Sequence, residues 1–288
     1  YLLKRLISSP EIYQAVIHYL DWRSFGLLFS FPFLAIRSFF VGITHTKALS
    51  WSAVTAIMIN IPLNYFLIFK LDLGISGAAI ASSLAEMGSL IVLCIYTGVN
   101  IDKEKYGLKP VYDGRLLIKV LNLSVWSMLH AFISVAPWFL FFVAIEHLGK
   151  TELAISNITR SVSAIFFVIA NSFAVTTGSL VSNAIGARAR NELFPICHKV
   201  LKLGYAVGIP FVVVALLCNR WIVSFYTDNE LLIELAFAPF VVMLLNYTFA
   251  LPGYVYLNAV GGTGKTKITF MFQVTTTCVY LVYLYWLS

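Results

Sequence analysis

The sequence predicts an all-α, polytopic membrane protein with about eight transmembrane helices, built as two parallel, repeated six-helix bundles. Three observations carry this prediction. Apolar residues make up 60% of the 288 positions and charged residues 11%, so the chain lacks the polar skin of a soluble domain, which is about a quarter charged. Charge-free runs of 19, 26, 27, 30 and 21 residues (51–69, 120–145, 161–187, 235–264 and 268–288) are close to or above the roughly 20 that a helix needs to cross a hydrocarbon core of about 30 Å. Two stretches 220 residues apart also share their punctuation: Phe29, Pro32, Gly42, Thr46 and Lys47 align with Phe249, Pro252, Gly262, Thr266 and Lys267. Prolines, glycines and lysines kept in register point to an internal duplication. The short alternating segments of a transmembrane barrel are not seen.

In chain order, apolar runs bounded by charges place spans at 24–44, 51–69, 75–98, 121–147, 153–185, 201–223, 235–260 and 268–288. The first 23 residues carry Lys4, Arg5, Glu11, Asp21 and Arg23 and are predicted to be the end of an earlier helix followed by a loop. Residues 99–119 form the one long polar connection, with Gly98, Gly107, Pro110 and Gly114 as breakers. Loops alternate sides along such a chain. Twelve Lys and Arg then fall on one side (at 47, 103–119, 188–202 and 265–267) and five on the other, which places the first set in the cytoplasm. This asymmetry accounts for the net charge of +7 without nucleic acid as a partner. Six crossings separate the two repeated stretches, so both run in one direction and the repeats are parallel. The expected organisation is the second half of an N-terminal bundle at 1–98, a cytoplasmic inter-bundle connection at 99–119, and a C-terminal bundle at 120–288 lacking its last helix. Cys94, Cys197, Cys218 and Cys278 share no metal-binding spacing and are predicted to pack as small apolar side chains.

Several motifs carry a resemblance to a known family. They are Asn60-Ile61-Pro62-Leu63-Asn64, then Leu67-Ile68-Phe69, and Gly74-Ile75-Ser76-Gly77-Ala78-Ala79-Ile80-Ala81. Arg37 through Gly42 to Thr46, and Leu180-Val181-Ser182-Asn183-Ala184-Ile185-Gly186-Ala187, complete the set. In order and spacing they resemble the multidrug and toxic compound extrusion (MATE) efflux antiporters, with the chain covering about helices four to eleven. The resemblance implies efflux of drugs or metabolites, and departs in its acids. Ser134 stands near a carboxylate that family members often carry in helix seven, 235–264 holds no charge where helix ten often has an acid, and Asn64 stands where Asp is frequent.

The polar groups inside spans are the candidate sites, because a charge in the hydrocarbon core costs at least about 2.5–3.5 kcal/mol. Glu86 has charge-free flanks at 75–85 and 87–98 and is either a coupling acid or a hydrogen-bonded structural residue. Arg160 lies seven or eight residues into its helix and either acts in transport or pairs with Glu152 or Glu146. Asn60 and Asn64 share a helix face around Pro62, which removes a backbone donor, and form a polar notch suited to a cation or substrate. A short loop joins their helix to that of Glu86, so the three are expected to share one pocket. His130 is a lone imidazole on an apolar helix and is predicted to pack. The run Gly261-Gly262-Thr263-Gly264-Lys265-Thr266 imitates a phosphate-binding loop, but Ala259 replaces its first glycine and a helix precedes it, so it is predicted to be a turn.

The function this predicts is a secondary active antiporter in the cell (inner) membrane. It would export organic, often cationic and drug-like, compounds or metabolites in exchange for H+ or Na+, by rocking-bundle alternating access. Its partners are a small organic substrate and the lipid bilayer, with the protein a monomer and no metal or cofactor beyond the coupling ion. The alternatives are a lipid-linked saccharide flippase of similar plan, which would want a cationic cavity, and an intramembrane enzyme or scaffold, for which no convergent His, Asp or Ser–Lys set is found. The topology is tested by a single cysteine at Lys105. It should react with an impermeant maleimide in inverted vesicles and not in intact cells.

Overall fold

The computed structural model describes residues 10–102, 104–108 and 112–287, and the chain divides into two units, Tyr1–Val111 and Tyr112–Ser288. Eight helices are long and apolar enough to cross a membrane. The expected remnant of an earlier helix at 1–9, and residues 103 and 109–111 of the polar connection, lie outside the described residues.

The first unit holds three long helices: α1 (Pro10–Gly42), α2 (Thr46–Tyr65, extended by a π-helical turn Phe66–Lys70) and α3 (Gly74–Asn100). Helix α1 corrects the expected loop before residue 24. It runs unbroken through Asp21 and Arg23, and its apolar span begins at Tyr13. A charge ends an apolar run only when nothing neutralises it, and Arg23 has a partner on α3. In α2, Pro62 cannot donate to the turn before it, and the widened turn follows four residues later, where Leu71 N–H reaches the Phe66 carbonyl at 3.0 Å.

Helix α3 packs against both of the others. Its buried positions are almost all small: Gly77, Ala79, Ala81, Ser83, Ala85 and Ser89. Small residues let helix backbones approach where lipid offers no hydrophobic drive for association. A Cβ on Gly26 of α1 would sit 2.4 Å from Ser83 Oγ, and one on Gly88 of α3 would sit 2.3 Å from Ile59 of α2. A small aromatic cluster closes one end, with Phe40 fully buried and edge-on to Tyr96. Large apolar side chains such as Trp51, Met58 and Phe69 face outward, as expected of a surface that meets lipid.

The second unit holds α4 (Gly114–Leu148), α5 (Lys150–Gly186), α6 (Leu193–Leu217), the short α7 (Asn219–Ser224) and α8 (Glu230–Leu235), α9 (Phe237–Gly262) and α10 (Thr266–Leu287). The predicted span at 201–223 is corrected. Helix α6 starts eight residues earlier, taking in Lys199, and stops at Leu217 before the turn at Cys218. Helix α4 likewise begins ahead of the predicted 121, because Asp113 caps it by accepting from the N–H groups of Arg115 (2.9 Å) and Leu116 (3.2 Å). The core lies among α5, α6 and α9, with Val181, Val212, Phe240, Leu244, Leu251 and Val255 buried. Two tyrosines tie α6 to α9 reciprocally: Tyr205 OH donates to the Thr248 carbonyl and Tyr247 OH to the Gly204 carbonyl, each at 2.8 Å. Helix α9 meets α5 backbone to backbone, since a Cβ on Gly262 would fall 2.4 Å from the Gly178 carbonyl oxygen, and Ser182 Oγ donates to the Gly262 carbonyl at 2.7 Å.

The two duplicated stretches have the same local form. Helices end at Gly42 and Gly262 and restart at Thr46 and Thr266, each pair 220 residues apart. Between them Thr44 (φ 59°) and Gly264 (φ 80°) take the left-handed conformation, bonded back to Val41 and Gly261. The glycine-rich run 261–266 is thus a helix–turn–helix corner with no strand before it. Gly42, unlike Gly262, has nothing within 4 Å of an added Cβ. Gly262→Ala should therefore destabilise the protein by about 1–3 kcal/mol in detergent unfolding, and Gly42→Ala should leave it within about 0.5 kcal/mol.

Candidate functional site

The intramembrane charges of the first unit meet between α1 and α3. Glu86 is the only acid of α3, and its carboxylate receives Arg23 of α1 as a two-pronged pair. Arg23 Nη1 donates to Oε2 at 3.0 Å, and Nη2 donates to Oε1. Ser30 Oγ, two turns further along α1, donates to Oε2 as well. Sequence spacing explains the convergence. Arg23, Gly26 and Ser30 repeat at helical intervals on one face of α1, while Ser83 and Glu86 lie three apart on α3. Gly26 brings the backbones together, so a carboxylate, a guanidinium and a hydroxyl occupy one level. Both charged side chains keep a little over a quarter of their surface exposed, at 28% for Arg23 and 27% for Glu86. The fork geometry of Arg on a carboxylate is the strongest form of such a pair.

Asn60 and Asn64 come together as the sequence predicts, with Asn64 Nδ2 donating to Asn60 Oδ1 at 2.8 Å. Asn64 Oδ1 is buried and accepts no hydrogen bond. The expected shared pocket with Glu86 is not what the hydrogen bonds describe. Glu86 turns to α1, whereas α3 meets α2 at Gly77, Gly88 and Ser89, against Leu67, Ile59 and Ser52 and not against the two asparagines. Arg160 is exposed, and its guanidinium lies over the Phe142 ring of α4, 5.1 Å from the centroid. The ring takes the place of the carboxylate partner expected at Glu152, and the side chain of Glu146 lies outside the described residues. Arg23 and Ser30 were missed because each alone is unremarkable. The signal that could have found them was Arg23 within a helical repeat of Gly26 and Ser30, opposite a lone acid.

In the second unit a crevice of about 720 Å³ separates α9 from α10, lined by Asn246, Ala250, Val260, Phe272, Gln273 and Tyr280 among others. At the 220-residue offset, Asn246, Ala250, Val260 and Phe272 correspond to Gly26, Ser30, Phe40 and Ser52. Those are the positions through which α1 and α2 hold α3, touching Ser83, Glu86, Tyr96 and Ser89. The crevice has the walls of a helix-packing groove, so its volume is weak evidence for a substrate site. Among the described residues no group of three or more His, Cys, Asp or Glu could hold a metal ion.

Eight apolar helices, small-residue crossings and an ion pair between two of them define a polytopic helical membrane protein. Comparison with known proteins narrows the class. The family model described as MatE matches residues 1–66 and 127–286, and the chain belongs to this family. It is 24% identical over 225 residues to protein DETOXIFICATION 49 of Arabidopsis thaliana, covering 73% of this chain and 44% of that one. It is 25% identical over 284 residues to the probable multidrug resistance protein NorM of Rhodopseudomonas palustris, covering 95% and 60%. Among solved structures it is similar to a MATE crystallised with MaL6, at a TM-score of 0.85 and 18% identity over 96% of this chain and 63% of that one. A MATE in the straight conformation also gives 0.85, at 16% identity over 96% and 62%. The chain spans about half the length of the curated relatives it matches.

The Arg23–Glu86 pair should show as a coupling energy. In a double-mutant cycle, Arg23→Gln and Glu86→Gln should each destabilise the protein, and the double variant should recover about 1 kcal/mol relative to their sum, measured by unfolding in detergent.

Proposed function

We propose that this chain works as part of a secondary active antiporter that exports organic, often cationic and drug-like, compounds or metabolites in exchange for H+ or Na+. What supports the reading is a solitary acid held inside a span by a displaceable partner, in a chain of the MatE family whose relatives carry multidrug resistance and detoxification in their names. The single observation that carries the coupling half is the Arg23–Glu86–Ser30 cluster. A carboxylate in this position has two alternative partners, the guanidinium and an incoming ion. When Glu86 takes up H+ or Na+, its hold on Arg23 weakens and the α1–α3 contact loses its electrostatic clasp. When the ion leaves, the clasp closes again. An ion gradient can drive a conformational cycle only through such a difference between states. The cycle we infer is a rocking of two bundles that exposes a binding cavity to one side at a time, in a monomer of the cell (inner) membrane. The Asn60–Asn64 notch, with its unsatisfied amide oxygen, is the polar group on α2 available to an ion or substrate.

The test separates coupling from mere structure. Arg23→Gln/Glu86→Gln removes both charges and leaves no orphan, so it should fold and retain substrate binding. In proteoliposomes under an H+ or Na+ gradient it should lose gradient-driven export by at least about tenfold. Export at the normal rate by the double variant would make the pair structural and remove Glu86 from the mechanism.

A further inference from the structure

The second unit contains a polar cavity that neither the ion pair nor the amide notch accounts for. It measures about 170 Å³, opens at the exposed Ser127, and is lined by Ser127 and His130 of α4, Leu257, Asn258 and Gly261 of α9, and Thr266 and Thr269 of α10. Spacings of three and four residues place these groups on one face of each helix. The Nε2 atom of His130 is buried and makes no hydrogen bond. A buried polar atom without a partner forfeits the hydrogen bond it would make to water, so its persistence asks for an occupant.

The other lining groups say what kind of occupant. Ser127 Oγ donates its hydrogen to the Leu123 carbonyl at 3.2 Å, and Thr269 Oγ1 to the Lys265 carbonyl at 3.5 Å. Asn258 Nδ2 donates to the Tyr254 carbonyl at 2.9 Å. With those hydrogens committed along their own helices, lone pairs on the Ser127 and Thr269 oxygens and on the Asn258 amide oxygen remain towards the cavity, beside the second Asn258 amide hydrogen and the Thr266 hydroxyl. These lone pairs can accept from a donor on the ring or from water that it holds. Neutral imidazole offers an N–H at only one of its nitrogens, whereas imidazolium offers one at each. The cavity also has room for several waters to carry the hydrogen bonds from ring to walls.

We propose that His130 and this cavity form a proton-binding site in the second unit. The proton becomes the N–H of Nε2, and the oxygens of Ser127, Asn258 and Thr269 accept from the imidazolium through water in the cavity. The surroundings leave the histidine as the group that changes charge. Helix α9 has no charged residue from Phe237 to Gly262, its titratable groups being tyrosines. On α10 the nearest charge is Lys267, whose ammonium is engaged over the Trp126 ring at 5.5 Å, one turn before His130. The remaining titratable groups of α10, Cys278, Tyr280, Tyr283 and Tyr285, lie more than two turns beyond Thr269. Of the charges on α5, Arg160 is committed to Phe142, about 18 Å along α4 from His130 at 1.5 Å per residue, and Lys150 and Glu152 lie further towards that end. On α4 itself Arg115 and Lys119 lie three turns or more away. The site thus supplies the carboxylate-poor second unit with a titratable group. It stands whether or not Glu86 couples transport.

The test is spectroscopic and needs no transport. In protein labelled with 13C and 15N at its five histidines and held in lipid nanodiscs, the His130 signal is assigned by its loss in His130→Gln. The wild-type signal should titrate between about pH 5 and 8, ending with protons on both ring nitrogens. Asn258→Leu should displace its midpoint by about half a pH unit or more and leave the other histidine signals in place. Thr269→Val serves the same purpose should Asn258→Leu not fold. A His130 signal that stays flat across this range overturns the proposal, and so does a midpoint unmoved by loss of the lining oxygens.

Discussion

Lipid tails are as apolar as leucine, so helices in a bilayer gain little by burying apolar side chains against one another. What holds them is close backbone approach and a small number of polar bonds, and this constraint organises both units of the chain. Helix α3 meets α1 and α2 through Gly77, Ala79, Ala81, Ser83 and Gly88, and α9 meets α5 through Gly178 and Gly262. Larger side chains at these crossings would push the helices apart and separate the groups that bond across them. Ser83 and Gly26 are in contact because neither has a side chain long enough to prevent it, and that contact sets Arg23 within reach of Glu86. The same economy recurs at α6 and α9, where Gly208 leaves room for Tyr247 to cross and bond the Gly204 carbonyl.

The polar groups sort by how completely they are satisfied. The Arg23–Glu86–Ser30 cluster is a closed set in which each charge has its counterpart, and such a set can serve either as a fastener or as a latch. The distinction lies in whether another partner can compete for the carboxylate. Partial exposure of both side chains leaves that access open. Asn64 and His130 are the opposite case, each with a buried atom unsatisfied. Arg160 is intermediate, its charge resting on an aromatic face, an arrangement that is stronger where the cation is poorly hydrated.

The duplication ties these observations together. The corners at 42–46 and 262–266 share helix ends, a left-handed residue and the same backward hydrogen bond. Their environments differ, since a Cβ on Gly262 would collide with α5 while one on Gly42 would meet nothing within 4 Å. Four residues of the 720 Å³ crevice between α9 and α10 also stand at the positions that hold α3 in the first unit.

The class, the number of spans and the glycine-rich corner were determined by the sequence alone, because hydrophobic length and backbone punctuation are local properties that survive any tertiary arrangement. Long apolar runs, five of them free of charge, located the eight membrane-length helices, and the pairing of Asn60 with Asn64 followed from a four-residue spacing within one helix. Helix ends at charged residues were misjudged for the same reason. Asp21 and Arg23 looked like a loop, and Lys199 looked like a boundary, since a run of letters does not show which charges are paired across helices or carried inside one. Only the tertiary structure decided that Glu86 faces α1 and not the Asn60–Asn64 helix. That choice depends on the rotation of α3 about its axis, which is set by where glycines on its neighbours permit approach. The cavity of His130 belongs to the same category. Ser127, Asn258 and Thr269 come from three helices up to 142 residues apart, and no spacing in the chain announces that they line one cavity with His130.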